Sequence, residues 1–339
     1  MLVISNTRCL SYVALSSLSS SSHLRWAAPV VHNARRGVQT RMQVQRKFVE
    51  MPDVDGVRRR VSYVELGSPE AEVKSNQTLL LLGGAAQSAE SFSAHFSSMM
   101  RSLKGWRVII PEFRCQKETD LLTKNATLDV LCSDLEVFIR EVNASKPHML
   151  GFSFGGRVAL AFASSRPHLV GDLSLTGVSL GRGGLGDLII EGWLDCLRKG
   201  DMRATAWSFV VNGYSRSFLE KHDVKWLRNH VNDIASSADP LKLLDLMEYS
   251  HIDDLNNSPY SVERAAQTLS GKRVQICAAE EDRIACAKGS RRLYDVLNEQ
   301  NDADFLLFER TGHLLPFEKA RLWRNSVTSF LLQEEGRLS

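Results

Sequence analysis

Cysteine is scarce in this chain of 339 residues, and its spacing excludes the common metal and redox motifs. The six cysteines lie far apart, and no two of them form a C-x-x-C pair. Pairs at that spacing are typical of zinc sites and redox centres. The sequence also has no cluster of metal ligands and no phosphate-binding P-loop. We therefore predict no metal site.

Acidic residues are absent from the first 49 positions, which carry seven of the 42 arginine and lysine residues. Without those seven, the chain has 35 basic and 39 acidic residues. The positive formal charge of +3 therefore comes from the first 49 residues, which we call the leader. The rest of the chain lacks the basic excess of nucleic-acid-binding proteins, and we expect no nucleic-acid partner.

The leader also lacks an apolar run long enough for a secretory core or a membrane span, and we expect no transmembrane segment. It is rich in serine and carries scattered arginine. This composition predicts a mitochondrial transit peptide over residues 1–41 and a location in the mitochondrial matrix. A disordered basic tail is the alternative.

From residue 42 onward, short apolar runs alternate with amphipathic stretches. The uninterrupted run at 78–82 is typical of a strand buried on both faces of a parallel sheet. Similar runs lie at 107–111, 147–152, 173–178, 273–279 and 305–308, and a hairpin is predicted over 43–51 and 57–66. Helices are predicted over 91–103, 128–142, 154–165, 285–298 and 317–332. This order predicts an α/β fold, with a mostly parallel eight-stranded sheet flanked by helices.

One segment interrupts the alternation. Residues 181–260 have helical periodicity, no convincing strand, and three of the six tryptophans. We interpret this segment as a helical cap inserted in a core formed by residues 42–180 and 261–335.

The pentapeptide Gly151-Phe152-Ser153-Phe154-Gly155 follows a predicted strand and opens a predicted helix. A nucleophile on such a tight turn needs a glycine two residues before it and another two residues after it, because larger side chains would clash. The helix N-terminus beyond it favours an anion formed during acyl transfer. Ser153 is therefore the candidate nucleophile, and an incidental serine in a glycine-rich turn is the alternative.

A serine nucleophile needs a base and a carboxylate that orients the base. His313 ends a loop after the last predicted strand, and Asp282 follows the strand at 273–279. We assign His313 as the general base and Asp282 as its orienting acid. Glu280 and Glu281 remain alternatives to Asp282.

An oxyanion hole needs two backbone donors aimed at the developing negative charge. One is expected from the N–H of Phe154, directly after Ser153. The other is expected from Ala85 in the loop after the strand at 78–82, where Gly84 lets the backbone approach a substrate.

In these motifs the chain resembles the α/β-hydrolase superfamily over about residues 42–335. Residues 151–156 look like the family's nucleophile elbow, 279–283 like its acid loop, and 312–318 like its histidine loop. The resemblance implies a cofactor-free esterase, thioesterase, lipase or related hydrolase. Dehalogenase and epoxide hydrolase activities are not expected, because those relatives carry Asp where this chain has Ser153.

Two departures from the family pattern concern the rim of the site. Many relatives have His-Gly where this chain has Gly83-Gly84. Many also have an acid-x-Arg-Gly-x-Gly-x-Ser pattern where this chain reads 112–119 as EFRCQKET, with neither glycine. We therefore expect a reshaped rim.

The resulting hypothesis is hydrolysis of a small-molecule acyl ester or thioester through an acyl-enzyme. Trp193 and Trp207 in the predicted cap are candidate substrate-binding residues for an apolar group, unless these aromatics form the cap's own core. A catalytically silent scaffold that serves as an organellar binding or assembly subunit is one alternative. An acyltransferase is the other.

Overall fold

The structure is a computed structural model that describes residues 45–67, 77–96, 98–121 and 126–332. The predicted transit peptide at residues 1–41 lies outside the described residues. Eight strands form one sheet in the order β1-β2-β4-β3-β5-β6-β7-β8. The strands are β1 Gln45–Pro52, β2 Arg58–Gly67, β3 Thr78–Leu82, β4 Arg107–Pro111, β5 His148–Phe152, β6 Leu173–Thr176, β7 Arg273–Ala279 and β8 Asp302–Phe308.

The pairing confirms the predicted sheet. Strands β1 and β2 pair antiparallel, as do β2 and β4. The remaining pairs of the sheet, from β4 with β3 to β7 with β8, are parallel. In β3, Leu79 and Leu81 pack into one core cluster while Leu80 and Leu82 pack into another. Because successive side chains of a strand face opposite sides, an all-apolar strand joins two layers of core.

Twelve α-helices lie among the described residues. They are α1 Ala89–Phe96, α2 Leu128–Glu141, α3 Phe154–Ser165, α4 Gly183–Arg198, α5 Met202–Gly213, α6 Arg216–Leu219, α7 Val224–Ser237, α8 Pro240–Leu255, α9 Val262–Thr268, α10 Ala287–Asn298, α11 Leu315–Glu318 and α12 Ala320–Leu332. Helices α4 to α8 fall between β6 and β7, within the segment interpreted as a cap. None of the helices in the described ranges is long and apolar enough to cross a membrane.

Three predicted elements differ from the observed ones by more than two residues at one end or are divided in two. The helix expected over 91–103 ends at Phe96, and a separate 3-10 turn follows at Met99–Arg101. Ser98 and Ser102 flank this turn, and serine favours a helix less than leucine or lysine does. The helix expected over 317–332 is divided into α11 and α12, and α11 starts two residues early, with Pro316 in its first turn. Strand β8 starts at Asp302, ahead of the apolar run, because a strand at the sheet edge can carry polar residues.

Candidate active site

Ser153 lies between the end of β5 and the first residue of α3, in a backbone conformation with φ 52° and ψ −115°. Its N–H donates to the carbonyl of Thr176 on the neighbouring strand at 2.8 Å. A Cβ at Gly151 would lie 2.4 Å from the Gly156 Cα, and a Cβ at Gly155 would lie 2.2 Å from the Leu82 carbonyl oxygen. The turn therefore requires glycine at both of these positions. It presents the serine side chain at the carboxyl end of strand β5.

A continuous chain of hydrogen bonds joins Ser153, His313 and Asp282. The His313 Nε2 atom is 2.8 Å from the Ser153 Oγ, and its Nδ1 atom is 2.8 Å from an Asp282 carboxylate oxygen. Because a carboxylate only accepts, Nδ1–H donates to Asp282, and Nε2 is left to accept the serine hydroxyl. Asp282 and His313 are only 6% and 5% exposed, so little water competes for these bonds.

Asp282 is held by its own loop. Its Oδ1 atom accepts the N–H groups of Ile284 and Ala285, each at 2.8 Å. The alternative acids bond elsewhere, since Glu280 accepts from the Arg310 N–H at 2.8 Å and Glu281 from the Arg216 N–H at 3.3 Å. Of the three acidic residues in this loop, Asp282 is the one that contacts His313.

The two predicted oxyanion donors lie on loops that are tied together. The N–H of Gly155, one residue past Phe154, donates to the Gly83 carbonyl at 3.1 Å. This bond attaches the start of α3 to the loop that carries Gly84 and Ala85. Among the described residues, neither the Ala85 N–H nor the Phe154 N–H donates to another protein group. An oxyanion donor must likewise be free of a protein acceptor, so the two assignments stay predictions that these contacts allow.

The two candidate tryptophans pack within helices α4 to α8. The Trp193 indole N–H donates to the Ser208 hydroxyl at 2.9 Å, and its ring meets the Phe209 ring edge-on, with centroids 4.4 Å apart. Its cluster also contacts Ala85, whereas Trp207 packs against a separate cluster that includes Tyr214. These contacts favour the alternative in which the aromatics form the segment's own core. Substrate binding by Trp193 and Trp207 stays a prediction.

Two residues that support the site were not predicted from the sequence. Glu318 accepts the N–H of Gly312, next to His313, at 3.0 Å. Gln116 donates its side-chain amide to the Ala85 carbonyl at 2.9 Å. The nearness of Glu318 to His313 in the chain was a usable signal, but the partner of Gln116 lies 31 residues away in another loop.

The site combines the Ser153 hydroxyl, the His313 imidazole, the Asp282 carboxylate and nearby backbone amides. Among the described residues, no group of three or more His, Cys, Asp or Glu side chains is arranged to hold a metal ion. A hydroxyl, an imidazole and a carboxylate in hydrogen-bonded sequence can perform nucleophilic acyl transfer.

A mostly parallel sheet, a serine on a strained turn between strand and helix, and a histidine held by an aspartate define the class of α/β-hydrolases. The sequence profile of the family described as alpha/beta hydrolase fold matches residues 77–320. The chain belongs to this family, as its motifs predicted.

Two curated relatives match most of the chain at low identity. A pyrrolizixenacetamide deacetylase of Xenorhabdus hominickii is 20% identical over 258 residues, which cover 76% of this chain and 91% of that protein. A 2-hydroxy-6-oxononadienedioate/2-hydroxy-6-oxononatrienedioate hydrolase of Paraburkholderia xenovorans is 24% identical over 306 residues, covering 84% of this chain and 94% of that protein. These hydrolase relatives support a hydrolytic enzyme.

Solved structures share the fold. An esterase from Exiguobacterium antarcticum superimposes with a TM-score of 0.66 at 16% identity, covering 83% of this chain and 98% of that chain. A bromoperoxidase from Bacillus anthracis gives a TM-score of 0.68 at 16% identity, covering 84% and 99%. Because an esterase and a bromoperoxidase share the architecture, the fold does not determine the reaction.

Proposed function

We propose that this protein is a serine hydrolase that cleaves a carboxylic ester or thioester through an acyl-enzyme. The observation that carries the proposal is the hydrogen-bonded chain from the Ser153 hydroxyl through His313 to Asp282. Serine is a weak nucleophile without a base, and this arrangement supplies one that is already in contact. The structural neighbours include an esterase, and a curated relative is named as a deacetylase, which fits transfer of an acyl group to water.

In the first half of the reaction, Ser153 Oγ attacks the acyl carbon while its proton passes to His313 Nε2. The tetrahedral intermediate carries its negative charge on the former carbonyl oxygen, where the N–H groups of Ala85 and Phe154 hold it. The bond to the alcohol or thiol then breaks, and His313 returns the proton to this leaving group.

In the second half, His313 takes a proton from water as the water oxygen attacks the acyl carbon. The bond from Ser153 Oγ to carbon breaks, the serine recovers its proton, and the carboxylic acid leaves. Asp282 holds the imidazole in one tautomer and stabilises it when it becomes positively charged. The water-poor surroundings of Asp282 and His313 strengthen this pairing.

A fluorophosphonate probe tests the proposal, because it reacts with an activated serine. The wild-type protein should be labelled, and Ser153→Ala should not. Ser236→Ala is the matched control, since this exposed serine donates to the Asp233 carbonyl within its own helix. A folded wild-type protein that resists labelling would contradict an enzymatic role and favour the silent scaffold.

Product analysis separates hydrolysis from acyl transfer. A p-nitrophenyl ester turned over in the presence of a competing alcohol should give mainly the free acid. Predominant formation of the new ester would identify the protein as an acyltransferase instead.

We also propose that the leader directs the protein to mitochondria, because it combines basic charge, serine and an absence of acids. A reporter fused to residues 1–49 should enter mitochondria. A reporter that remains in the cytosol would contradict the proposal.

A further inference from the structure

The side chain of Gln116 joins the loop after β4 to the loop after β3. Gln116 is buried, with 7% of its surface exposed. Its Nε2 atom donates to the Ala85 carbonyl at 2.9 Å and to the Gly84 carbonyl at 3.3 Å. Its Oε1 atom accepts the Phe113 N–H at 2.9 Å. The amide has only one orientation in which all three contacts are satisfied, because the backbone N–H needs the oxygen end.

One of these contacts acts directly on the peptide unit that carries the candidate oxyanion donor. The Gly84 C=O and the Ala85 N–H belong to the same planar unit and point in opposite directions. The Gly84 oxygen also accepts the Gln87 N–H at 3.0 Å. Donors that hold this oxygen therefore fix where the Ala85 N–H points, and they polarise the unit so that the N–H becomes a stronger donor.

Gln116 lies in a turn with an unusual backbone conformation. Its two neighbours, Cys115 and Lys117, have φ values of 70° and 27°, in the left-handed region that favours glycine. These are the two positions at which the family pattern has glycine. The chain has lost both glycines but keeps a left-handed backbone at both positions. Such conformations persist where surrounding contacts hold them, and they often lie at functional sites.

We propose that Gln116 is a positioning residue that holds the Ala85 N–H in the orientation of an oxyanion donor. The inference rests on the proposed function, because it assigns a role within the same reaction. Gln116 acts only through the peptide that it holds, and it does not touch the reacting atoms. Its effect should therefore fall on stabilisation of the transition state and leave substrate binding almost unchanged.

Two variants of Gln116 separate hydrogen bonding from packing. Gln116→Met keeps the length of the side chain and removes its donors. Gln116→Glu keeps the acceptor for Phe113 but turns a carboxylate toward the Gly84 and Ala85 carbonyls. Gln300→Met is the matched control, because the exposed Gln300 amide also donates to a backbone carbonyl, that of Gln267, at 3.2 Å.

We expect kcat for p-nitrophenyl acetate to fall about 10- to 100-fold in Gln116→Met, since misplacing a catalytic group by about 1 Å costs a similar factor. KM should stay within about threefold of the wild-type value. The rate of fluorophosphonate labelling should fall in parallel with kcat. Gln116→Glu should lose at least as much as Gln116→Met, and Gln300→Met should behave as the wild type.

Circular dichroism and thermal unfolding establish whether each variant folds. Wild-type kcat in a folded Gln116→Met or Gln116→Glu would overturn the inference, as would a loss confined to KM. If neither variant folds, Gln116 is a structural residue and the inference is also overturned. These failures differ from failure of the proposed function, in which the wild-type protein itself would neither hydrolyse the ester nor react with the probe.

Discussion

Ser215, directly before α6, donates both its backbone N–H and its hydroxyl to the carboxylate of Glu318, at 2.7 and 2.5 Å. The same carboxylate accepts the N–H of Gly312. One residue past His313, the Leu314 N–H donates to the Gly213 carbonyl at 2.9 Å. The loop that carries His313 is thus attached to the junction between α5 and α6. A shift of these two helices would therefore move the His313 imidazole.

Removing the charge of Glu318 tests this attachment. In Glu318→Gln the amide oxygen can accept the two backbone N–H groups, and the NH2 then donates to the Ser215 hydroxyl, so three bonds to a charged carboxylate are replaced by bonds to a neutral amide. We expect unfolding free energy to fall by about 1 kcal/mol, because hydrogen bonds to a charged acceptor are stronger than those to a neutral one. We also expect kcat to fall about tenfold, because the imidazole loses part of its support. Urea unfolding and ester kinetics measure the two effects, with the exposed Glu299→Gln as control. Wild-type kcat in Glu318→Gln would contradict the coupling.

Arg114, in the loop after β4, lies at the centre of an ion cluster. Its guanidinium contacts both carboxylate oxygens of Asp134 at 2.6 Å and an oxygen of Asp53 at 3.2 Å. Arg114→Met removes this arginine from Asp134, whereas Asp53 keeps Arg59 at 3.2 Å, and we expect unfolding free energy to fall by about 3–5 kcal/mol. Arg60 pairs with Asp120 at 3.2 Å at the surface, where both side chains are about half exposed. Arg60→Met should cost less than about 1 kcal/mol. Equal losses in the two variants would contradict this difference.

Alanine substitution should change the unfolding free energy in opposite directions at two glycines, Gly155 in the turn at Ser153 and Gly192 in helix α4. Gly155→Ala places a methyl group against the Leu82 carbonyl, which is backbone and cannot move aside cheaply. It should lower unfolding free energy by more than about 3 kcal/mol or prevent folding. Gly192 lies within α4, where an added Cβ would meet no heavy atom within 4 Å. Gly192→Ala should raise unfolding free energy by about 0.5–1 kcal/mol. Thermal unfolding of both variants tests the prediction, and a stable, active Gly155→Ala would contradict the geometry of the turn.

His230 on α7 should make stability depend on pH. Burial lowers its pKa below 6.5, and the nearby His222 lowers it further, while Asp233 opposes the shift. Its Nε2 atom is 3.0 Å from the Tyr214 hydroxyl. Because the unfolded chain binds the proton more readily, stability from neutral His230 is present above pH 6.5 and lost as pH falls through the folded pKa.

His230→Gln should therefore lose less unfolding free energy than the wild type between pH 7 and pH 5. Urea unfolding at several pH values measures the difference. His168→Gln is the control, since His168 is exposed. Identical pH profiles for the wild type and His230→Gln would contradict the prediction.

The sequence predicted the elements that carry strong local patterns. The apolar run of β3 and the glycines around Ser153 are local signals, and both lie where they were expected. Strand β8 was predicted too short because Asp302 and Asp304 interrupt the apolar pattern of an edge strand. Polar residues on an edge prevent unwanted pairing, so this pattern is common but uninformative about length.

The supporting contacts were harder to predict because they join distant parts of the chain. Glu318 meets Ser215 across 103 residues, and no local pattern pairs them. The bonds of Gln116 depend on a turn whose left-handed residues are Cys115 and Lys117, which sequence rules assign to other conformations. Loss of the family glycines predicted a reshaped rim, which stays a prediction, while the backbone at both positions has the positive φ that glycine favours.

The proposed reaction depends above all on a covalent intermediate at Ser153. Peptide mass spectrometry after fluorophosphonate treatment tests this role most directly, because it identifies the modified residue. We predict one adduct, on the peptide that contains Ser153, formed faster than any adduct in His313→Ala. An adduct on another residue, or a folded protein with no adduct, would contradict the role of Ser153.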